Sequence, residues 1–93
     1  MNRLELQAFF KKREIDTRHI PSDVLERALK VVERIESGES YLSVHGKRLV
    51  LNHRRISIPL GRKWRLLADE EDDQLSFRAV MSHQTYDSYI TFA

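Results

Sequence analysis

The sequence predicts an α+β fold in which N-terminal helices pack on a twisted four-stranded antiparallel sheet. Two successive periodicities and the length of the chain support this prediction. Apolar residues repeat at helical spacing up to Gly38, and from residue 45 onwards they alternate with polar residues at a period of two. A length of 93 residues fits one domain with a modest core, which favours two packed layers. We therefore expect a single domain with a helical part over about 1–38, a sheet part over about 45–82 and a tail over 83–93.

The clearest predicted helix lies in the stretch SDVLERALKVVERIESG, which begins at Ser22. A Pro-Ser pair marks its start, and a glycine lies just past its end. The apolar residues that recur on one side of this helix are Val24, Leu25, Ala28, Leu29, Val32 and Ile35. A shorter helix is predicted in RLELQAFFKKRE, with Leu4, Ala8 and Phe9 facing inward.

Four short runs, KRLVL, RRISIPL, KWRLLA and LSFRAVM, have the composition and the alternation of strands. Short connections join them, so an antiparallel meander is the simplest topology. Asn52-His53 is the predicted first turn, and the acidic stretch over 69–73 is predicted to be a hydrated turn. One face of the sheet should then carry the apolar residues Leu49, Leu51, Ile56, Ile58, Leu60, Trp64, Leu66, Ala68, Leu75, Phe77, Ala79 and Met81.

The same alternation predicts a basic surface on the opposite face of the sheet. Its cations come from all four strands: Arg48, Arg55, Lys63, Arg65 and Arg78. The segment 40–68 holds seven basic residues and no acidic residue, although the net charge of the chain is only +2. Converging guanidinium groups repel one another unless an anion is present, and phosphate is the obvious anion. The alternatives are an acidic protein partner, or a solvated basic edge that discourages sheet aggregation.

The tail adds His83, Tyr86 and Tyr89 at the edge of this basic face. Histidine can exchange a proton near neutral pH, and arginine can stabilise a charged phosphoryl transition state, so these residue types suffice for RNA cleavage without a metal. The candidate catalytic residues are Arg65, His83 and Tyr86. The candidate phosphate-binding residues are Arg48, Arg55, Arg62, Lys63, Arg78 and His45.

Three further residues have a structural and a functional interpretation. Trp64 alternates with apolar neighbours and is expected in the core, and Tyr41 is expected to cover the edge of the core. Glu39 is either a general base beside the substrate or a solvated carboxylate after the helix-ending glycine.

Several classes of function are excluded or disfavoured by what the sequence lacks. It has no cysteine, so disulfides, thiolate catalysis and cysteine-based zinc sites are excluded, which suits a reducing cytoplasm. No pair of histidines has metal-ligand spacing, and no cofactor motif is found, so we expect neither a metal nor a cofactor. With no apolar stretch long enough for a bilayer and no signal-peptide pattern, a cytoplasmic location is expected. A DNA-binding helix is disfavoured because the long helix has a net negative polar face.

The stretch LSVHGKRLVLNHRRISIPLGRKWRLLADEEDDQLSFRAVMSHQTYD, after a helical N-terminal half, resembles the RelE/ParE superfamily of bacterial toxins, and most closely its small ParE-like domains. The resemblance implies a compact α+β fold and an antitoxin partner. RelE-like members cleave mRNA in the ribosomal A site, and the resemblance assigns their basic residue to Arg65 and their C-terminal His/Tyr pair to His83 and Tyr86. ParE-like members instead poison DNA gyrase and lack a complete nuclease site.

The sequence departs from the pattern of this superfamily in two ways. Many members begin with a strand that pairs into the sheet, whereas this chain begins with a predicted helix. His83 and Tyr86 are separated by two residues, whereas some nuclease members have them adjacent. The expected function is that of a toxin that cleaves mRNA on the ribosome. The alternatives are gyrase inhibition without nuclease activity and a non-enzymatic protein-interaction module, such as one encoded by a phage.

Overall fold

The computed structural model describes residues 1–50 and 52–86, so the predicted core position Leu51 and the tail residue Tyr89 lie outside the described residues. Helices and strands follow the predicted order, and two helices precede a four-stranded sheet. The elements are α1 (Arg3–Lys12), α2 (Ser22–Glu36), a 3₁₀ turn (Tyr41–Val44), β1 (Lys47–Arg48), β2 (Arg55–Pro59), β3 (Trp64–Glu71) and β4 (Gln74–Ser82).

Helix α1 begins with a capping box in which the Asn2 side chain accepts from the Glu5 amide and the Glu5 carboxylate accepts from the Asn2 amide. Its buried residues are Leu6 and Phe10, whereas Leu4 is 77% exposed. The predicted inward face was therefore wrong for Leu4 and Ala8, which are exposed, whereas Phe9 is half-buried and packs against the core. Apolar residues occur at nearly every second position of this helix, so the sequence pattern permits more than one phase.

The orientation of α1 is set by its contacts with α2. The Arg13 guanidinium makes two hydrogen bonds to the Glu36 carboxylate, both at 2.9 Å, and stacks on the Phe9 ring at 3.6 Å. The hydrogen bond from Arg13 holds the pKa of Glu36 below its ordinary value. This bidentate pair joins the end of α1 to the end of α2. It accompanies the phase that buries Leu6 and Phe10 in the core, and burial of these two side chains stabilises that phase more than a partly exposed ion pair does.

Helix α2 agrees with its sequence prediction in both bounds and facing. Val24, Leu25, Ala28 and Val32 are buried against the sheet. The helix ends in a Schellman motif, in which the Glu39 amide donates to the Arg34 carbonyl oxygen and the Gly38 amide donates to the Ile35 carbonyl oxygen. Gly38 has a φ of 107°, a conformation that glycine adopts without a steric penalty.

The sheet is the predicted antiparallel meander, with strands in the order β1-β2-β3-β4. Its helix side carries Ile56 and Ile58, which pair with Ala68 and Leu66 of β3. These side chains are fully buried and form the core together with the apolar faces of both helices. Trp64 packs against this core, as predicted, and so does Tyr41. The opposite surface of the sheet is called the open face below.

Strand β1 is shorter than predicted. It contains only Lys47 and Arg48, which pair with Ser57 and Ile56, and the chain then turns so that the Arg55 amide donates to the Asn52 carbonyl oxygen. The register has a consequence for the basic surface: Arg48 shares the side of Ile56, and Lys47 shares the side of Ser57. Arg48 thus lies on the helix side rather than on the open face, contrary to the prediction.

Strand β4 contains a β-bulge that changes which residues face the core. Leu67 pairs with Ala79, but the next residue of β3, Ala68, pairs with Phe77, so Arg78 is an extra residue in β4. Beyond the bulge, Val80 rather than its neighbours faces the helices and is buried. Ala79 and Met81 were predicted in the core and instead lie on the open face, because one inserted residue reverses the alternation.

The outer edge of β4 is covered by the loop between the helices. The Asp16 amide donates to the Arg78 carbonyl oxygen at 2.9 Å, and the Val80 amide donates to the Asp16 carbonyl oxygen at 2.8 Å. This isolated parallel bridge pairs Asp16 with Ala79 of the edge strand. It satisfies part of the edge that β4 would otherwise expose.

The acidic stretch is mostly strand rather than turn. β3 runs to Glu71, and only Asp72 and Asp73 form the connection to β4, with φ values of 52° and 64°. Two consecutive positive φ values are those of a tight hairpin turn, which aspartate tolerates better than most residues. Asp69 and Glu70 are therefore placed within the sheet, facing opposite sides of it. Within residues 1–50 and 52–86, no helix has the length and apolar character needed to cross a membrane.

Candidate functional site

The open face has two ends with different electrostatics. At the end near the β3–β4 turn, the carboxylate of Asp69 lies between two of the predicted phosphate-binding arginines. Its Oδ1 accepts from Arg55 Nε at 3.0 Å, and its Oδ2 accepts from Arg78 Nε at 2.9 Å. The side chains of Arg55 and Asp69 are only 14% and 16% exposed. Asp69 therefore supplies the anion that the sequence analysis assigned to an external phosphate.

The protonation of Asp69 follows from these contacts. Burial raises the pKa of its carboxyl group, but the hydrogen bonds from Arg55 and Arg78 outweigh burial, and the net pKa is lower than the ordinary value. Asp69 consequently remains charged at neutral pH. Asp69 was not among the predicted site residues, although continuing the strand alternation past Ala68 places it on the same face as the arginines.

Other acidic residues of β3 pair with arginines at the same end of the sheet. Glu70 accepts from Arg48 at 2.6 Å on the helix side, where Arg48 also contacts the Tyr41 hydroxyl group. The hydrogen bond that Arg48 donates to Glu70 raises the pKa of Arg48. Glu71 accepts from Arg54 at 2.6 Å. These ion pairs leave the hairpin end of the sheet poorly suited to binding a polyanion.

The opposite end of the open face keeps its positive charge. Arg62 and Lys63 lie in the β2–β3 connection and Arg65 lies in β3, and none of the three makes an ion pair within the described part of the chain. The connection is held by the Arg27 guanidinium, which donates to the Leu60 carbonyl oxygen at 3.0 Å. Gly61 has a φ of 87°, and a Cβ atom there would lie 2.6 Å from Arg27 Nη1, so the turn depends on glycine.

The structure brings together the three predicted catalytic residues at this end. A helical turn begins at His83 and includes Tyr86. The guanidinium carbon of Arg65 lies 5.7 Å from the centroid of the Tyr86 ring, and the rings of His83 and Tyr86 stack with centroids 6.3 Å apart. The His83 amide donates to the Lys63 carbonyl oxygen at 2.6 Å, which fixes the start of the turn beside the basic loop.

The three residues differ in exposure, and this limits what each can do. Tyr86 is 8% exposed, Arg65 is half-buried and His83 is exposed. Tyr86 is therefore suited to hold the guanidinium group of Arg65 in place, since an aromatic face attracts a cation. His83 is the member that a substrate can reach for proton exchange.

Two buried polar atoms on the open face have no hydrogen-bond partner among the described residues. They are Ser57 Oγ and Arg65 Nε. Ser57 is 3% exposed and lies beside Arg65 on the diagonal between β2 and β3, because Ser57 pairs with Leu67 and Pro59 pairs with Arg65. Buried polar groups without a partner are rare, and a bound ligand or a water molecule can satisfy them, so both atoms are available to a molecule bound beside Arg65.

Two other predicted residues lie away from this cluster. His45 ends the 3₁₀ turn with a φ of 64° and precedes β1, two strands from β3, at the end of the sheet where Pro59 pairs with Arg65. Glu39 accepts hydrogen bonds from Arg34 and Ser43, and the bond from Arg34 lowers its pKa. This favours the structural interpretation of Glu39. Among the described residues, no group of three or more His, Cys, Asp or Glu side chains could hold a metal ion.

Comparison with known proteins assigns the chain to a family. The family model of the ParE-like toxin domain matches residues 22–88. The chain belongs to the ParE-like toxin domain family. The resemblance to the RelE/ParE superfamily is thereby confirmed. A comparison with curated proteins gives no match.

The fold of this ParE-like chain is similar to a solved structure described as the RelB-RelE antitoxin-toxin complex from Methanococcus jannaschii. The TM-score is 0.65 at 20% sequence identity, and the match covers 77% of this chain and 85% of the other. At this identity the similarity shows the fold. It confirms helices packed on a four-stranded antiparallel sheet.

The helical turn of the ParE-like chain depends on a cap that the sequence analysis did not identify. Ser82 Oγ accepts from the Thr85 amide at 3.1 Å and donates to the Thr85 hydroxyl group at 2.8 Å. A serine directly before a helical turn is a usual capping signal. We expect Ser82→Ala to lower the free energy of unfolding by about 1 kcal/mol, because the amide of Thr85 loses its acceptor. Chemical denaturation measures this change.

Ser37→Ala is the matched control, since Ser37 is exposed at the end of α2 and should change the free energy of unfolding by less than about 0.5 kcal/mol. Hydrogen exchange at the amides of His83–Tyr86 should be faster in Ser82→Ala. Unchanged exchange there would mean that the turn is held by packing of Tyr86 alone.

Proposed function

We propose that this ParE-like chain is the toxin of a toxin–antitoxin pair and that it arrests growth in the cytoplasm by cleaving mRNA on the ribosome. The observation that carries the proposal is the convergence of Arg65, His83 and Tyr86 at one end of the open face. Arg62 and Lys63 lie at the same end, and their charge is not balanced by an ion pair within the described part of the chain.

The proposed reaction is attack by a ribose 2′-hydroxyl group on the adjacent phosphate. The products are a 2′,3′-cyclic phosphate and a free 5′-hydroxyl group. The proton of the 2′-hydroxyl group would pass to solvent water as the bond to phosphorus forms. Arg65 would hydrogen-bond to the non-bridging oxygens as their negative charge increases, and His83 would give its proton to the departing 5′ oxygen. Arg62 and Lys63 would bind flanking phosphates, which positions the scissile bond without sequence preference.

The second part of the proposal is a cognate antitoxin. The solved relative with the similar fold is described as an antitoxin–toxin complex, and this supports a protein partner for the present chain. An acidic segment of the antitoxin docked on Arg62, Lys63 and Arg65 would also exclude the phosphate backbone of mRNA, which neutralises the toxin by occupying its substrate site.

A second function, inhibition of DNA gyrase without cleavage, is favoured by two observations. The matching family is ParE-like. The carboxylates with described contacts on β3 all lie at the hairpin end, where arginines bind them, and so they do not supply a base for the 2′-hydroxyl group. In that case Arg62, Lys63 and Arg65 form a docking surface.

A pulse-labelling experiment in bacteria separates these functions. After induction of the chain, incorporation of labelled methionine and labelled thymidine is followed over the first minutes. We expect methionine incorporation to fall first and cleaved mRNA to carry 2′,3′-cyclic phosphate ends. An earlier fall in thymidine incorporation would indicate gyrase as the target, and normal incorporation of both would indicate a non-enzymatic binding module.

A further inference from the structure

The helix side of the sheet contains a groove that the proposed function does not use. It lies between the C-terminal end of α2 and the β3–β4 hairpin, and its volume is about 820 Å³. The strands of this hairpin are long and α2 ends at Glu36, so the helix layer does not cover the hairpin end. The floor consists of half-buried apolar side chains: Ile35, Leu75 and Phe77.

The rim of this groove is acidic, although the chain as a whole is basic. Two lining residues are cationic, Arg13 and Arg78, and both bind carboxylates. Five lining residues are acidic: Glu14, Glu36, Glu39, Glu70 and Asp73. Three of them are paired with arginines: Glu36 with Arg13, Glu39 with Arg34 and Glu70 with Arg48. Glu14 and Asp73 make no ion pair within the described residues, and both have positive φ values, which place them at exposed turns. An apolar floor between acidic rims fits a segment that carries both apolar and basic side chains.

We propose that this acidic groove binds a basic amphipathic segment of the cognate antitoxin, at a place separate from the open face. The proposal rests on the proposed function, because it takes the antitoxin as the partner. The antitoxin would then contact the toxin on both sides of the sheet. An acidic segment would cover Arg62, Lys63 and Arg65, and a basic segment would bind in the groove, so the charge pattern would fix its orientation.

A second copy of this chain fits the groove less well. Its concentrated basic loop, Gly61-Arg62-Lys63, has no apolar side chain to fill the floor. A contact between that loop and the groove would also join two different surfaces. Such a head-to-tail contact extends into a filament unless the rotation closes a ring.

The test is a binding measurement between this chain and the protein encoded beside it. The groove variant is Glu14→Lys/Asp73→Lys, which reverses the two rim charges that have no ion pair among the described residues. The matched control is Glu26→Lys/Glu33→Lys, which makes the same change in net charge on exposed positions of α2 that do not line the groove. We expect the groove variant to weaken the complex by about tenfold or more, with a smaller dependence of Kd on salt, and the control to bind like the wild type.

A second variant, Leu75→Gln, tests the floor without changing the charge, and it should also weaken binding. Thermal unfolding of each free variant verifies that it folds. If the wild type binds the protein encoded beside it and both groove variants bind equally well, the groove assignment alone is overturned. If the wild type does not bind that protein, both the groove assignment and the antitoxin part of the proposed function are overturned. If the wild type forms dimers that the groove variant separates, a second copy occupies the groove, which also overturns the proposal.

Discussion

Replacing Arg65 with alanine is expected to abolish growth arrest while leaving the chain folded. Arg65 is the guanidinium group that the Tyr86 ring holds at the positively charged end of the open face. Its proposed task is to stabilise charge that appears on the phosphate only in the transition state. Removing one such donor lowers the rate by about 10²-fold or more, which is enough to remove toxicity in an induction assay.

The measurement compares colony survival and early methionine incorporation for wild type, Arg65→Ala and Arg65→Gln. Glutamine keeps the stem that packs near Tyr86 but loses the charge, so it separates chemistry from packing. Arg54→Ala is the matched control, because Arg54 is exposed at the other end of the sheet and pairs with Glu71. Loss of toxicity in the control but not in the Arg65 variants would place the site at the hairpin end and overturn our assignment.

Antitoxin binding by the Arg65 variants distinguishes a chemical role of Arg65 from a role in docking a protein partner. If Arg65 acts chemically, Arg65→Gln should be harmless and still bind the antitoxin, since other cations at this end remain. If toxicity and antitoxin binding are lost together, the basic end is a protein-docking surface, and a non-enzymatic or gyrase-directed function follows.

The sequence was sufficient to predict the features that depend on regular periodicity. Helix α2 has one continuous apolar stripe between a Pro-Ser start and a glycine end, so both its bounds and its buried face were predictable. The antiparallel order of the strands followed from their short connections. The grouping of Arg65 with His83 and Tyr86 was predictable because the strand that bears Arg65 pairs with the strand that leads directly into the tail.

Features that depend on tertiary contacts could not be predicted in this way. The phase of α1 depends on which of its apolar residues pack into the core, and Leu6 and Phe10 do so against residues that are distant in the chain. The bulge at Arg78 reverses the alternation within β4, and no glycine or proline in that strand signals it. Composition marked the acidic stretch as a turn, whereas its first residues extend β3 and neutralise arginines across the sheet.

The ion pairs of β3 divide the basic side chains of the sheet into two groups. The sequence places its cations on one surface without distinguishing among them, whereas the structure divides them by partner. Arg48, Arg55 and Arg78 bind the carboxylates of β3. Arg62, Lys63 and Arg65 make no ion pair within the described residues. Under the proposed function, the acids of β3 thus confine the anion-binding site to the end that His83 can reach.

Asp69→Asn is expected to lower the free energy of unfolding at pH 7 by about 3 kcal/mol, the scale for breaking a largely buried ion pair by removing one partner. Asparagine has the shape of aspartate, but it cannot offer a charged oxygen to both Arg55 and Arg78. The side chain of Arg55 is only 14% exposed, so water replaces the lost carboxylate poorly. Denaturant unfolding of the two proteins measures the difference, with Glu71→Gln as the control at an exposed pair. Glu71→Gln should lower the free energy of unfolding by less than about 1 kcal/mol.

The same pair predicts a specific dependence of stability on pH. Because the pKa of Asp69 is lower in the folded than in the unfolded chain, its stabilisation is fully present above the unfolded value of about 3.9 and is lost as the pH falls through the folded value. The stability difference between wild type and Asp69→Asn should therefore be constant near neutral pH and should shrink below about pH 4. A difference that persists unchanged into strong acid would mean that the substitution acts through packing. In that case Asp69 would not be the anion that neutralises the arginines of the hairpin end.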